Sequence, residues 1–220
     1  MLFPTYMHII NNALTEEELQ EIERVASEIN FTEGRTGSAV RDPDRPDDGN
    51  INPEIRTSQV KWIETFPYEI EMKLGSLMTQ TLDETGWRFD IEGHQAFQYT
   101  VYNANPNAKG DFYTWHTDSH DSTYPDGTIR KLSFTLQLSD PDEYEGGLFQ
   151  WLEPWRIFDR FTEDNYTNVD FTNAIRSIPF SAKSRGSILF FPSYIHHQVT
   201  PVTRGTRKSL VGWCYGQPYV

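Results

Sequence analysis

A mainly β (α+β) fold, a jelly-roll sandwich buttressed by N-terminal helices, is predicted by three observations. Two amphipathic helical stripes occupy the chain up to about residue 86. From Trp87 onward the apolar period shortens from the helical repeat to two. Gly, Pro and Asp turns then punctuate the rest at short intervals. Helices first and many short strands afterwards is the pattern of a β-sandwich with helices packed on one face.

The elements follow in order. His8 to Leu14 reads as a short extended segment. Thr15 and Glu18 have capping-box spacing, and Leu19, Ile22, Val25, Ala26 and Ile29 form a helical stripe behind them. Residues 34–53 are polar and rich in Gly, Pro and Asp, which predicts a surface loop. Residues 67–85 predict a second helix with Ile70, Leu74, Leu77, Met78 and Leu82 on one face. Strands are predicted at Ala96 to Tyr102, Lys131 to Leu138, Leu148 to Leu152, Ser187 to Phe191, His197 to Val202 and Arg207 to Tyr215. Pro201 to Thr206 reads as a hairpin turn between the last two. Residues 153–185 interrupt the strand series with a mixed acidic and aromatic run that includes Trp155, Phe158, Phe161, Tyr166, Phe171 and Phe180. The expected organisation is one domain over residues 1–220, with helical support to about 86 and a strand core from about 87 carrying the 153–185 insert.

Bulk properties narrow the function. A chain of 220 residues, 37% hydrophobic and 14% aromatic, has enough apolar mass for a sizeable core. With 19 basic and 32 acidic side chains the net charge is -13, which repels phosphate backbones and argues against nucleic-acid partners. Cys214 is the lone cysteine, so internal disulfides and Cys-rich metal sites are excluded, and its apolar surroundings predict a buried thiol. No segment has membrane-span length or signal-peptide character, so a soluble cytoplasmic protein is expected.

The chemistry concentrates in His116-Thr117-Asp118, His197 and Arg207. In an extended segment residues i and i+2 project to one side, so His116 and Asp118 can reach one ion. His197 supplies a second imidazole from a separate strand. His196 then faces the opposite way, to the surface or behind the site. Two histidines and one carboxylate are the ligands of a facial triad that holds Fe(II) with open positions for a cosubstrate and O₂. The same donors bind Zn(II), and a structural His–Asp pair is the non-metal alternative. Arg207 shifts the balance. A buried guanidinium needs an anionic partner, and a dicarboxylate that also chelates the metal supplies one; a structural salt bridge to one of the chain's many acids is the alternative.

Several segments resemble a known family. Tyr102 with Gly110-Asp111-Phe112-Tyr113-Thr114-Trp115-His116-Thr117-Asp118 is similar to a characteristic stretch of the 2-oxoglutarate/Fe(II)-dependent dioxygenases of the prolyl 4-hydroxylase type. So are Leu132 to Asp140 with Glu145-Gly146-Gly147-Leu148, and Gly186 to Ser193 with His197 to Val202 and Gly205-Thr206-Arg207. The resemblance covers most of residues 8–30 and 87–218. It implies a double-stranded β-helix (jelly roll), iron held by His116, Asp118 and His197, and Arg207 on the distal carboxylate of 2-oxoglutarate. It further implies Tyr102 lining the cosubstrate pocket and Gln137 as a second polar contact there. Fe(II), 2-oxoglutarate and O₂, with ascorbate as a reductant, are the implied cofactors.

The implied reaction is hydroxylation of an unactivated C–H bond, with a prolyl residue of a peptide or protein as the family-led substrate. Trp115 and Trp213 offer flat walls for such a ring, although either serves equally well as a core tryptophan. A free amino acid or small metabolite is the alternative within the same chemistry. A non-catalytic jelly-roll metal-binding protein is the alternative outside it. The insert at 153–185, longer than in compact hydroxylases, is positioned in the sequence to reshape the mouth of the site.

Overall fold

A computed structural model describes residues 6–36, 51–119, 123–153 and 171–219. Most of the Asp/Pro-rich loop, and Trp155, Phe158, Phe161 and Tyr166 of the insert, lie outside the described residues.

The chain opens with strand β1 (His8–Ile10) and helix α1 (Glu16–Ser27). The capping box closes as its spacing predicts. Thr15 Oγ1 accepts from the Glu18 amide at 3.3 Å, and the Glu18 carboxylate accepts from the Thr15 amide at 2.7 Å. Leu19, Ile22 and Ala26 are the buried stripe of α1. Strands β2 (Thr32–Glu33), β3 (Arg56–Thr57) and β4 (Gln59–Ile63) follow, then helix α2 (Tyr68–Thr85). Pro67 starts α2 and Gly86, at φ 71°, ends it in the left-handed region that glycine adopts without strain.

The β-rich part comprises β5 (Gly93–His94), β6 (Phe97–Asn103), β7 (Phe112–His116), β8 (Ile129–Gln137), β9 (Tyr144–Gly146), β10 (Phe149–Leu152), β11 (Ile175–Ser177), β12 (Ile188–Pro192), β13 (His197–Val199) and β14 (Val202–Gly216). Among the described residues these form two antiparallel sheets. The larger has the order β1-β12-β8-β14-β6-β4-β2, with β5 and β9 also pairing β14. The smaller has the order β11-β10-β13-β7-β3.

Strand alternation divides the core in two. Leu132, Phe134 and Leu136 of β8 and Leu210 and Cys214 of β14 face the helices with Leu19, Ile22, Ile70 and Leu74. The opposite face looks into the space between the sheets, where Leu189, Phe191, Phe149, Tyr102 and Val199 pack. β12 is buried on both faces. Truncating a side chain such as Phe190 to alanine there costs about 3–5 kcal/mol. The inter-sheet space is also where Ser133, Gln137 and Arg207 point.

Two sequence expectations are corrected. Pro201 to Thr206 is not a hairpin turn. β13 pairs with β7 and β10, whereas β14 starts at Val202 and pairs with β6, β8 and β9, so the chain crosses there from one sheet to the other. The turn residues permit either route, and the non-local partners select the crossing. The insert does not wholly break the strand series either. Ile175–Ser177 is strand β11, which pairs with β10 and extends the smaller sheet. No helix among the described residues is long and apolar enough to cross a membrane.

Candidate metal centre and cosubstrate pocket

β7 and β13 are neighbours in the smaller sheet, and their register sets His116 opposite His197. Asp118 lies two residues past the end of β7. Its amide donates to the Ser193 carbonyl at 2.9 Å, and the Ser119 amide donates to the same oxygen at 3.0 Å. The turn between β12 and β13 thus clasps the carboxylate beside both rings. His116 Nε2 is 3.9 Å from Asp118 Oδ1, and His197 Nε2 is 3.7 Å from Asp118 Oδ2. One ligand atom from each residue falls within 4.8 Å of the others. Two bonds from one ion at about 2.1 Å each reach atoms up to about 4.2 Å apart, so both histidine–carboxylate pairs are already within that span.

Each imidazole is oriented for a ligand's role. His116 Nδ1 is 2.7 Å from the Thr114 carbonyl and His197 Nδ1 is 2.9 Å from the Ile195 carbonyl. A carbonyl only accepts, so each Nδ1 carries the proton and each Nε2 presents its lone pair. Phe149 stacks on His197 at 5.3 Å and Phe191 meets it edge-on at 4.7 Å. Tyr113 stacks on His116 at 3.5 Å, with only 12° between the planes. Burial, reinforced by the neighbouring His197, drives the His116 ring well below the ordinary histidine range. Burial alone would push Asp118 up, but the fields of His197 and His116, followed by Arg130 and the Ser133 hydroxyl, hold its carboxyl below the usual range. A neutral ring beside an ionised carboxylate is the form a metal takes up. Asp118 is 7% exposed and its Oδ2 has no hydrogen-bond partner, a desolvation cost that a bound cation removes.

Arg207 lies in the same inter-sheet space. It is 1% exposed and pairs in register with Tyr102. Its guanidinium donates to Gln137 Oε1 at 3.1 Å and to Ser209 Oγ at 3.4 Å, with its carbon 5.7 Å from the Tyr102 ring centre. No acidic side chain among the described residues pairs with it. Arg207 Nε and Gln137 Nε2 are buried donors without acceptors. Gly147, at φ 54°, makes room for this arginine, because a Cβ there would meet Arg207 Cδ at 2.9 Å. Two orphaned donors beside an uncompensated guanidinium fit a carboxylate ligand.

Ser133 connects the two ends. It shares one face of β8 with Thr135 and Gln137, its hydroxyl pairs with Ser193 Oγ at 2.8 Å, and it acts on Asp118. Beyond it, the β14–β8 register slips between Cys214 and Tyr215. This bulge turns Arg130 onto the site face, 4.0 Å over the Trp213 ring. Trp62 of β4 stands 5.9 Å from Trp213 and is 43% exposed. Trp213 is buried, with no partner for its indole Nε1. Trp115 is half-buried in β7, and its side chain makes no ring contact or hydrogen bond among the described residues. His196 is exposed.

No local sequence signal marks Arg56, Trp62, Tyr113 or Arg130 as site residues. Arg56 and Trp62 belong to strands that were not anticipated. Strict alternation along β8 assigns Arg130 to the wrong face, and no local signal announces the bulge.

Residues 97–215, more than half of the chain, match the family model described as the 2OG-Fe(II) oxygenase superfamily. A PKHD-type hydroxylase of Hyphomonas neptunium is 26% identical over 214 residues, covering 94% of this chain and 77% of the relative. A PKHD-type hydroxylase of Shewanella baltica is 35% identical over 105 residues, covering 47% of this chain and 38% of the relative. In fold, the chain is similar to a prolyl hydroxylase of Trichoplax adhaerens solved with a hypoxia inducible factor oxygen degradation domain peptide. The TM-score is 0.60 at 17% identity, over 95% of this chain and 83% of that one. The chain therefore belongs to the 2OG-Fe(II) oxygenase superfamily, with a prolyl hydroxylase-like jelly roll and with Fe(II) and 2-oxoglutarate as its cofactors.

Proposed function

We propose that His116, Asp118 and His197 hold the Fe(II), that Arg207 grips the distal carboxylate of 2-oxoglutarate, and that the enzyme hydroxylates a prolyl residue in a peptide or protein. The observation that carries this reading is a fully buried arginine with no acidic partner among the described residues, sharing one pocket with a three-ligand cluster. When bound, the iron supplies coupling of O₂ and the oxidative decarboxylation of 2-oxoglutarate to insertion of one oxygen atom into a C–H bond, releasing succinate and CO₂.

The remaining work falls to the chain's own side chains. Gln137 is held through its Oε1 by Arg207, which leaves its amide Nε2 to donate to the same carboxylate. Tyr102 closes that end of the pocket. Phe149 and Phe191 keep water from the His197 side. At the mouth, the exposed Trp62, backed by the buried Trp213, presents a flat apolar surface that suits a pyrrolidine ring. Arg130 is laid over Trp213 and anchored on Gln95 Oε1, and the Trp213 indole N–H, which has no partner among the described residues, is a donor for a backbone carbonyl flanking the ring. Prolyl substrates are also named for the solved fold neighbour, which supports this choice over a free amino acid.

The test is incubation with Fe(II), 2-oxoglutarate, O₂ and ascorbate, measuring succinate and the mass of proline-containing peptides. Succinate formation coupled to a gain of about 16 Da on proline is the expected result. Succinate without peptide oxidation would overturn the prolyl assignment and leave the cofactor assignment standing. No succinate from iron-loaded protein would overturn both.

A further inference from the structure

We propose that Arg56 and Tyr113 are positioning residues for the metal site, with Arg56 acting on His116 through the Tyr113 ring. This rests on the reading of His116 as a ligand.

Tyr113 and His116 are three residues apart in β7. In a regular strand they would project to opposite faces. The register shows why they do not. His116 pairs with His197, but Tyr113 pairs with Val199, so three steps on β7 face two on β13. The extra residue reverses the alternation and brings the two rings together at 3.5 Å, nearly parallel. With the imidazole on one face of the phenol ring, the other face is left to Arg56. Arg56 is the direct register partner of Tyr113, and its guanidinium carbon lies 4.7 Å from the ring centre.

Arg56 is 6% exposed and has no acidic partner among the described residues. Neutral acceptors hold it instead. Its Nε donates to Ser58 Oγ at 2.8 Å and its Nη1 to the Arg35 carbonyl at 3.1 Å. Gly34 gives it space, since a Cβ at that position would meet Arg56 Nε at 2.6 Å. A buried guanidinium without a counter-ion is costly in terms of stability alone. Its planar geometry is what lets it clamp an aromatic face.

The two histidines need different support. His197 is wedged between Phe149 and Phe191 in the inter-sheet core. His116 sits nearer the rim, its side chain 14% exposed against 6% for His197. The Thr114 carbonyl fixes its Nδ1 direction, and the tilt of its ring, which sets where Nε2 points, is left to the stack.

The test is anaerobic titration with Co(II), following the visible ligand-field bands of the full chain. Arg56→Met and Tyr113→Leu are expected to lower Co(II) affinity by about tenfold or more, the usual effect of removing a partner that orients a ligand, and to change the band shape. Tyr113→Phe, which keeps the ring face, is expected to bind like the unmodified protein. Circular dichroism checks folding, and if Tyr113→Leu does not fold, Arg56→Met carries the test. His116→Ala separates the two readings. Wild-type affinity in that variant overturns the ligand assignment. Loss of binding in His116→Ala with wild-type affinity and bands in Arg56→Met and Tyr113→Leu overturns the positioning role, as does a Tyr113→Phe variant as weak as Tyr113→Leu.

Discussion

A part-buried arginine and a fully buried one show how this molecule separates support from function. Arg185, on the helix side of the large sheet, donates to the carboxylates of Glu16 at 3.0 Å and Glu23 at 2.8 Å and also to the Leu138 carbonyl. Among the described residues Arg207, on the inter-sheet side, has amide, hydroxyl and aromatic partners. Arg185 is neutralised by α1, so its charge serves the docking of that helix. Arg207 lacks a counter-charge among the described residues. With no acidic side chain among the described residues paired to this guanidinium, its charge is left for a ligand.

The largest effect should come from the centre that the arginine serves. Replacing His116, Asp118 or His197 by alanine should abolish Fe(II) binding in anaerobic calorimetry and reduce succinate formation to background. An active variant at any of the three would break the picture of the inter-sheet side.

The sharpest contrast comes from truncating each arginine to methionine. Arg207→Met should weaken 2-oxoglutarate binding about 100-fold, the loss of ~3 kcal/mol from two charge-assisted hydrogen bonds. Without cosubstrate its Tm should hold or rise, because a buried cation lacking a counter-ion has been removed. Arg185→Met should leave 2-oxoglutarate binding unchanged and lower Tm by about 3–6 °C. Calorimetric titration and thermal scans of the two variants decide this. Equal falls in Tm with no change in cosubstrate affinity would erase the distinction.

A related effect is stabilisation by the cosubstrate. With a redox-inert divalent metal and 2-oxoglutarate at 100 times its Kd, the fold should gain about 2.7 kcal/mol. At the same concentration the gain should fall to about 0.4 kcal/mol in Arg207→Met and persist in Arg185→Met, measured by the same scans.

The smallest effect tests how closed the helix side is. Cys214 lies on β14 beyond Arg207, on the core face, with its sulfur 3.2 Å from Met78 Sδ. Burial pushes its thiol up to about 12, so at pH 8 it remains protonated in the folded state, whereas an exposed cysteine is substantially thiolate. Alkylation at pH 8 should therefore require denaturant. Rapid labelling of the native protein would show that this face opens.

Legibility followed locality. Thr15, Glu18 and the stripe Leu19, Ile22, Ala26 sit within a few turns of one another, so α1 was readable. The alternation of Leu132 to Leu138 was readable for the same reason. β3 and β4 were not anticipated, because Lys61 and Arg56 are polar yet buried. Lys61 gains its acceptor from Ala26, 35 residues away in sequence, and Arg56 gains its stack from Tyr113. The crossing at Pro201, the bulge that redirects Arg130 and the bulge that joins Tyr113 to His116 likewise depend on which distant strand is paired.

The sequence by itself determined the helices, the strand-rich second half, the acidic surface and the residue types of the site. Each of these is written in spacing over a few residues. Only the tertiary structure decided how closely His116, Asp118 and His197 converge, that Arg207 is left without an acid among the described residues, and that Arg56, Trp62, Tyr113 and Arg130 join them. Strand pairing over long separations fixes which way a side chain faces, and a one-residue slip in register reverses it.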